Sequence, residues 1–360
     1  MTQPYSYSHA LPQRTFFKYE KRIRSNSSRD KVFEYFASVT DTDGTKFMQL
    51  PDLLRAIVPT YPPSASDVER GGSLAGERST LPASATQTGA AAAAAAAVRE
   101  DNPKGRVFEM FDIDGDGLIS FYEYLLVLTL ISIPLADLHI IFALVDADGD
   151  GSIDAEEFQA VISQLQAIAN IHGVKHGRGR NQPVNSSSGL LMSFFGADRK
   201  QRLALSTLRD FLQSLHESTL VMEFEHYDIA AAGHIPAQDL ARSLVASADV
   251  KTVDRMLSKA DSMDPALSQA QITFPEFQAA HLLGMHRHSL RVALTFAEET
   301  QQSITPKAFK HLVAKLAGIE LSDNVVKVIY SLCGTAAGDL DIKAFQKMLS
   351  HNSKRLAQKG

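Results

Sequence analysis

Apolar residues along this chain recur at helical spacing over segments of roughly ten residues, and each segment breaks at a short polar stretch before the next begins. In the clearest copies Phe108 and Phe142 stand four residues before a loop, Ile119 and Ile153 fall eighth within it, and Tyr124 and Phe158 follow it. The same skeleton returns with Phe224, Ile235 and Leu240, and again with Ile329, Leu340 and Phe345. Fainter copies centre on Met48, Leu203, Ile272 and Ile304. A helix–loop–helix unit recurring every roughly 30 to 50 residues predicts an all-α array. Its strands should be confined to short β bridges between loops paired at their eighth positions.

Two stretches interrupt the repeat. The first runs from about Pro62 to Gly105 and carries Gly71-Gly72 and eight consecutive alanines, Ala90 to Ala97. Alanine favours helix, but so short a run without a partner is marginal in water, so a loosely ordered insertion is expected. The second, from His172 to Gly189, is rich in Gly, Asn and Ser.

A length of 360 residues suits two or three domains. A net charge of −5 gives no basic footprint for nucleic acid. The single cysteine, Cys333, forbids an intrachain disulfide but leaves open a link between two chains in an oxidising compartment. The longest apolar stretch, Leu125 to Ile131, stops at Pro134, short of the roughly 20 residues of a membrane-spanning helix. No secretory signal is visible either. The expectation is a soluble chain, compatible with one that has lost a targeting segment.

The chemistry lies in two loops. Asp112-Ile-Asp-Gly-Asp-Gly-Leu-Ile-Ser-Phe-Tyr-Glu123 matches the twelve-residue EF-hand loop at every diagnostic position. Calcium is a hard cation that takes six to eight oxygens at roughly 2.3–2.6 Å, which such a loop supplies by wrapping once around the ion. Asp112, Asp114 and Asp116 would give side-chain oxygens and Leu118 its carbonyl. Ser120 would act directly or through water, and Glu123 with both oxygens. Gly117 stands where the chain must turn sharply. The second loop, Asp146-Ala-Asp-Gly-Asp-Gly-Ser-Ile-Asp-Ala-Glu-Glu157, offers Asp146, Asp148, Asp150, Asp154 and Glu157, with the Ser152 carbonyl at the seventh position. The loops start 34 residues apart, which suits a face-to-face pair, and two calcium ions are expected. A merely solvated acidic surface is the competing explanation, and the joint spacing of Gly and Glu opposes it.

The other copies have lost these ligands. Asp228–Asp239 has Ala230 and Ala232 where oxygens belong and Pro236 at the ninth position. The stretch Asp261–Glu276 keeps acidic ends but is four residues too long. In the last copy Cys333, Ala337 and Ala344 replace the first, fifth and twelfth ligands, and the copies at Asp41, Gly196 and Ala297 are no better. The histidines His281, His286 and His288 match no metal spacing and suit a solvated helical face. The basic run Lys18, Lys21, Arg22 and Arg24 follows the aromatic pair Phe16-Phe17 and suits a solvated helix face. The C-terminal Lys347, Lys354, Arg355 and Lys359 suit a soluble helix end in preference to contact with an anionic surface. No P-loop, dinucleotide turn, HExxH helix or GxSxG elbow occurs, so nothing argues for an enzyme.

Several further stretches resemble one EF-hand family, the mitochondrial calcium uptake proteins, gatekeeping subunits of the mitochondrial calcium uniporter. They are Phe17-Lys-Tyr-Glu-Lys-Arg-Ile-Arg24, Asp30-Lys-Val-Phe-Glu-Tyr-Phe-Ala37, and Phe47-Met48 with Pro51-Asp52. Phe194-Phe-Gly-Ala-Asp198, Glu223-Phe-Glu-His-Tyr-Asp228 and Glu320-Leu-Ser-Asp-Asn-Val325 complete the set in the family's order. Two adjacent intact loops are similar to the plant-type pattern, whereas animal members usually keep one intact loop in each lobe, the last included.

The resemblance implies an N-terminal domain with a vestigial hand (14–61), a low-complexity linker (62–102), an N-lobe with both intact loops (103–225) and a C-lobe of degenerate hands (226–350). A C-terminal helix and a basic tail (351–360) would follow. It implies residence in the intermembrane space, peripheral to the inner membrane, homo- or hetero-oligomers, and the uniporter pore complex as partner. Family members are thought to set their basic N-terminal segment against an acidic ring at the channel mouth, which by position points to Arg22 and Arg24; Glu34 stands where some relatives carry a basic residue. The expected function is a calcium-sensing gate, closed at low calcium and released when the loops fill. A calcium buffer without a target and a calcium-dependent regulator of another target are the alternatives.

Overall fold

The computed structural model describes residues 13–42, 44–61, 110–113, 116–135, 137–171, 189–228, 230–248 and 251–349. The first low-complexity stretch, the second up to residue 188, Phe108, Asp114 and the basic tail lie outside them. The described chain is helical, as the periodicity predicts, with short antiparallel strand pairs; one of them, Val39↔Phe47 and Thr40↔Lys46, lies within a single hand and not between two loops.

Helices α1 (Gln13–Asn26), α2 (Arg29–Phe36) and α3 (Leu50–Ile57) open the chain, with β1 (Val39–Thr40) and β2 (Lys46–Phe47) between the last two. Next come α4 (Phe121–Ser132), α5 (Leu138–Val145), β3 (Ser152–Ile153), α6 (Ala155–Ile171) and α7 (Gly189–Phe195). Strand β4 (Leu203–Ala204) runs straight into the long α8 (Leu205–Tyr227). The remainder comprises β5 (His234–Pro236), α9 (Ala237–Ala246), α10 (Val253–Asp261), α11 (Pro265–Ser268), β6 (Gln271–Thr273), α12 (Phe274–Leu282), α13 (Arg287–Glu299), α14 (Pro306–Ala317), α15 (Asp323–Cys333) and α16 (Ile342–Leu349).

The eighth-position residues pair two by two. Met48 bridges Ile119, Ile153 faces Leu203, Ile235 faces Ile272, and the Leu340 amide donates to the Ile304 carbonyl at 3.2 Å. All are buried. Three of the expected bridges are therefore present and a single hydrogen bond stands at the fourth, but the expected partnership of the two acidic loops is not found. Each acidic loop pairs with a degenerate one, Asp112–Glu123 with the loop after Asp41 and Asp146–Glu157 with the loop after Gly196. Spacing along the chain does not reveal this, because the choice of partner rests on contacts between residues far apart in sequence.

The third pairing also corrects a loop boundary. Asp261 closes α10, where it pairs with Arg14 and Arg242, so the degenerate loop facing Ile235 starts at Pro265 and has the ordinary length to Glu276.

Two apolar cores result. One gathers Val32–Val58, Phe111–Ile162 and Leu190–Leu215; the other gathers Phe17, Tyr61 and Phe224–Leu349. Helix α8 serves both, with Leu208, Leu212 and Leu215 in the first and Phe224 and Tyr227 in the second. Helix α1 does likewise: Phe17 meets Tyr61 edge-on at 5.1 Å, while Ile23 packs on the other core.

Candidate metal centre

The twelfth acid of each loop also caps the helix that leaves it. Glu123 is the third residue of α4: its Oε2 accepts from the Ser120 amide and hydroxyl, each at 2.7 Å, and its Oε1 from the Ile113 amide at 2.7 Å. The side chain is fully buried. The first four amides of a helix have no partner within it; capping side chains satisfy some of them, and an acidic residue there also complements the helix dipole.

Asp112 accepts from the amides of Asp116 and Gly117 at 3.0 and 2.7 Å, and Asp116 from that of Leu118 at 2.8 Å. The first carboxylate thus gathers the loop around itself. The sixth residues Gly117 and Gly151 have φ of 79° and 85°, a conformation costly for a residue with a Cβ.

In the second loop Asp146 accepts from Gly149, Asp150 and Gly151 at 2.8–3.1 Å. Asp154 accepts from the amides of Glu156 and Glu157, each at 2.9 Å, while Glu157 reaches back to the amides of Ala147 at 2.7 Å and Asp154 at 2.9 Å. Carboxylate oxygens of Asp146, Asp148 and Glu157 lie within 4.8 Å of one another. Partial desolvation, then the negative charge of Glu157 and Asp146, hold the Asp148 carboxyl above its ordinary value, with Arg202 opposing. Like charges are crowded together here at an electrostatic cost that a bound cation would relieve. Oxygen donors alone, several of them carboxylates on an accessible loop, fit a hard divalent cation such as calcium.

Asp150 is turned differently. Its Oδ1 accepts from the Ser152 amide and hydroxyl at 2.9 and 2.7 Å, and its Oδ2 pairs with Arg202, which the paired degenerate loop supplies. Nothing in the second loop's own sequence announces this cation.

Most basic side chains of α1 find partners within the chain, two at the surface and two buried. Arg14 pairs with Asp261 at 2.5 Å and Lys18 with Asp254 at 2.6 Å. Buried Lys21 donates to the Ala246 carbonyl at the end of α9, a position that favours a cation. Arg24, expected to face a channel, has a side chain only 6% exposed. It pairs with Glu20 at 2.9 Å, donates to the Arg55 carbonyl at 2.8 Å and lies over the Phe36 ring at 4.7 Å. Burial lowers its pKa below the ordinary arginine value, with Glu20 opposing. Arg22 is exposed.

The histidines do not form one solvated face. His281 is buried in α12, and its Nε2 lies 2.8 Å from the Ser243 hydroxyl. His286 and His288 belong to the start of α13. Cys333 is buried, with its Sγ 3.8 Å from the Met348 sulfur, so its thiol is not presented to another chain.

A family model described as an EF-hand domain pair matches residues 105–163, the segment holding both acidic loops. The chain is 36% identical to a protein of Arabidopsis thaliana named calcium uptake protein, mitochondrial, over 97% of this chain and 68% of that one. It is 26% identical to the Homo sapiens calcium uptake protein 1, mitochondrial, over 96% of this chain and 71% of that one. A solved apo structure of the mitochondrial calcium uniporter protein MICU2 superposes with a TM-score of 0.58 at 19% identity, covering 92% and 90% of the two chains. A calcium-binding-state structure of EFHA2 superposes at 0.54 and 18% identity, covering 87% and 95%. Among the described residues no helix is long and apolar enough to cross a membrane. With both loops in order and the likeness spanning nearly its whole length, the chain belongs to the mitochondrial calcium uptake protein family.

Proposed function

We propose that this chain is a calcium-sensing gate of the mitochondrial calcium uniporter, acting from the intermembrane space as a peripheral protein. The observation that carries the reading is the pair of acidic loops within a calcium uptake protein fold. Asp112, Asp114, Asp116, Leu118, Ser120 and Glu123 would hold one calcium ion. Asp146, Asp148, Asp150, Ser152, Asp154 and Glu157 would hold a second. Bound there, calcium supplies a divalent charge that neutralises the crowded carboxylates.

The protein's own residues convert that neutralisation into movement. Glu123 and Glu157 are each the third residue of an exit helix, α4 and α6, so any change in their hydrogen bonds acts directly on that helix. For gating, calcium must favour the released state by a few kcal/mol, since equal affinity for both states shifts nothing. Arg22 is the residue of α1 offered to an acidic channel mouth; Arg24 serves as an internal strut.

The exposed Ile140 and Leu144 on α5, 58% and 79% accessible, favour a protein with a partner over a simple buffer. That partner is the uniporter pore complex or a second copy or paralogue. The test is calcium flux through the uniporter at sub-micromolar external calcium, with and without this protein. Suppression that calcium relieves, made permanent by Glu123→Gln with Glu157→Gln, supports the gate; flux indifferent to the protein refutes it.

A further inference from the structure

Arg202 is the seventh residue of the degenerate loop that starts at Gly196. The register Ser152↔Ala204 and Ile153↔Leu203 holds it beside the second acidic loop. Its guanidinium pairs with the Asp150 carboxylate and donates to the Ser152 hydroxyl at 3.2 Å. That hydroxyl also bonds Asp150, so the fifth and seventh residues of the acidic loop are tied to a cation from across the bridge. The other pairing differs at the equivalent place. The seventh residue of the degenerate loop facing Asp112–Glu123 is Phe47, which is 5% exposed and carries no charge. Two acidic loops of near-identical design thus face different side chains at the seventh position across their bridges, a cation in one case and a buried aromatic ring in the other.

We propose that Arg202 sets the calcium affinity of the second loop, acting as a built-in cation that weakens divalent binding there relative to what the loop's own carboxylates would give. The inference rests on the reading that this loop binds calcium. The physical basis is direct. A fixed positive charge among the ligands raises the local potential that an arriving divalent ion must enter, and it competes for an oxygen-bearing group, Asp150, that the ion would use. Because Arg202 is half exposed, 51% accessible at its side chain, the effect is moderate and screened by salt. Tuning through a partner loop lets the two sites fill at different calcium levels although their own sequences look alike.

The test is calorimetric titration of the full chain with calcium, comparing wild type with Arg202→Met, Arg202→Lys and Glu157→Gln, with circular dichroism confirming the fold. Arg202→Met keeps the length and removes the charge. It should lower the dissociation constant of one site about three- to tenfold, an effect that shrinks as potassium chloride is raised. Arg202→Lys, which keeps the charge, should stay close to wild type, and Arg202→Met should do nothing once Glu157→Gln has removed the second site. An unchanged or weaker affinity in Arg202→Met, with Glu157→Gln still abolishing one site, overturns the role of Arg202 alone. If Glu157→Gln abolishes no site, the calcium reading of the loop falls as well.

Discussion

Met48 and Ile119 exchange both backbone hydrogen bonds, Met48 amide to Ile119 carbonyl at 2.9 Å and Ile119 amide to Met48 carbonyl at 2.8 Å. The first acidic loop is therefore fastened to the N-terminal segment and not to the second loop. Calcium at the first loop should slow hydrogen exchange at Met48 and along β1 and β2, while calcium at the second loop should slow it at Leu203 and Ala204. Glu157→Gln should abolish the second response and spare the first. A response of Met48 that tracks the second loop would contradict this pairing.

Glu20 clamps two arginines, buried Arg24 at 2.9 Å and part-buried Arg55 at 2.8 Å. Glu20→Ala would leave two cations unpaired against the Phe36 ring. Removing one member of a buried pair costs about 3–5 kcal/mol, whereas an exposed charge away from such a network costs within about 0.5 kcal/mol. Urea denaturation should show a large loss for Glu20→Ala and Arg24→Ala and almost none for Arg22→Ala. Binding to the uniporter should depend on Arg22.

His281 provides a pH signature. The Ser243 hydroxyl donates to Glu223 at 2.7 Å and so accepts from the His281 Nε2–H at 2.8 Å. Burial lowers the His281 pKa below its ordinary 6.5, with Glu223 pulling the other way. A base with a depressed pKa is neutral in the fold and binds protons more readily when unfolded. Its contribution is complete above 6.5 and is lost as pH falls below that value. The melting temperature should decline between pH 7 and pH 5 more steeply in wild type than in His281→Gln; parallel curves would refute this.

Burial pushes the Cys333 thiol up to about 12. A thiol kept protonated and out of solvent is a poor nucleophile and a poor disulfide partner. Ellman's reagent should leave the native protein untouched and titrate one thiol per chain after unfolding in urea, and aerobic storage should yield no covalent dimer. Rapid reaction of the native protein would contradict the burial.

Much of this architecture was legible in the residues. The apolar eighth positions were visible as Ile119, Ile153 and their fainter counterparts because a bridge between loops needs an apolar side chain facing the core. Acids also persist in hands without a full ligand set: Asp52 and Glu276 cap α3 and α12 as Glu123 caps α4. An acid at the twelfth position therefore reports a helix start as much as a metal ligand. What sequence could not supply was choice of partner. Which loop faces which, that Arg202 reaches Asp150, and that Lys21 and Arg24 turn inward all depend on contacts between residues far apart in the chain. His281 looked like part of a polar face because His286 and His288 follow it closely in sequence; in the fold they lie past the end of its helix.

Helix α8 begins at the bridge of the second acidic loop and ends at Tyr227, whose hydroxyl donates to the Tyr61 carbonyl and accepts from the Tyr61 amide, both at 3.1 Å. Its 23 residues span about 34 Å. Seen mechanically, it is a crankshaft journalled in both cores. A few degrees of rotation imposed where Leu203 meets Ile153 would be delivered at the far end without a single ligand there. Glycines at the exposed Gln213 and Ser214, each costing less than about 1 kcal/mol, would slacken the shaft and leave the far half deaf to calcium while calcium binding at the loops persists.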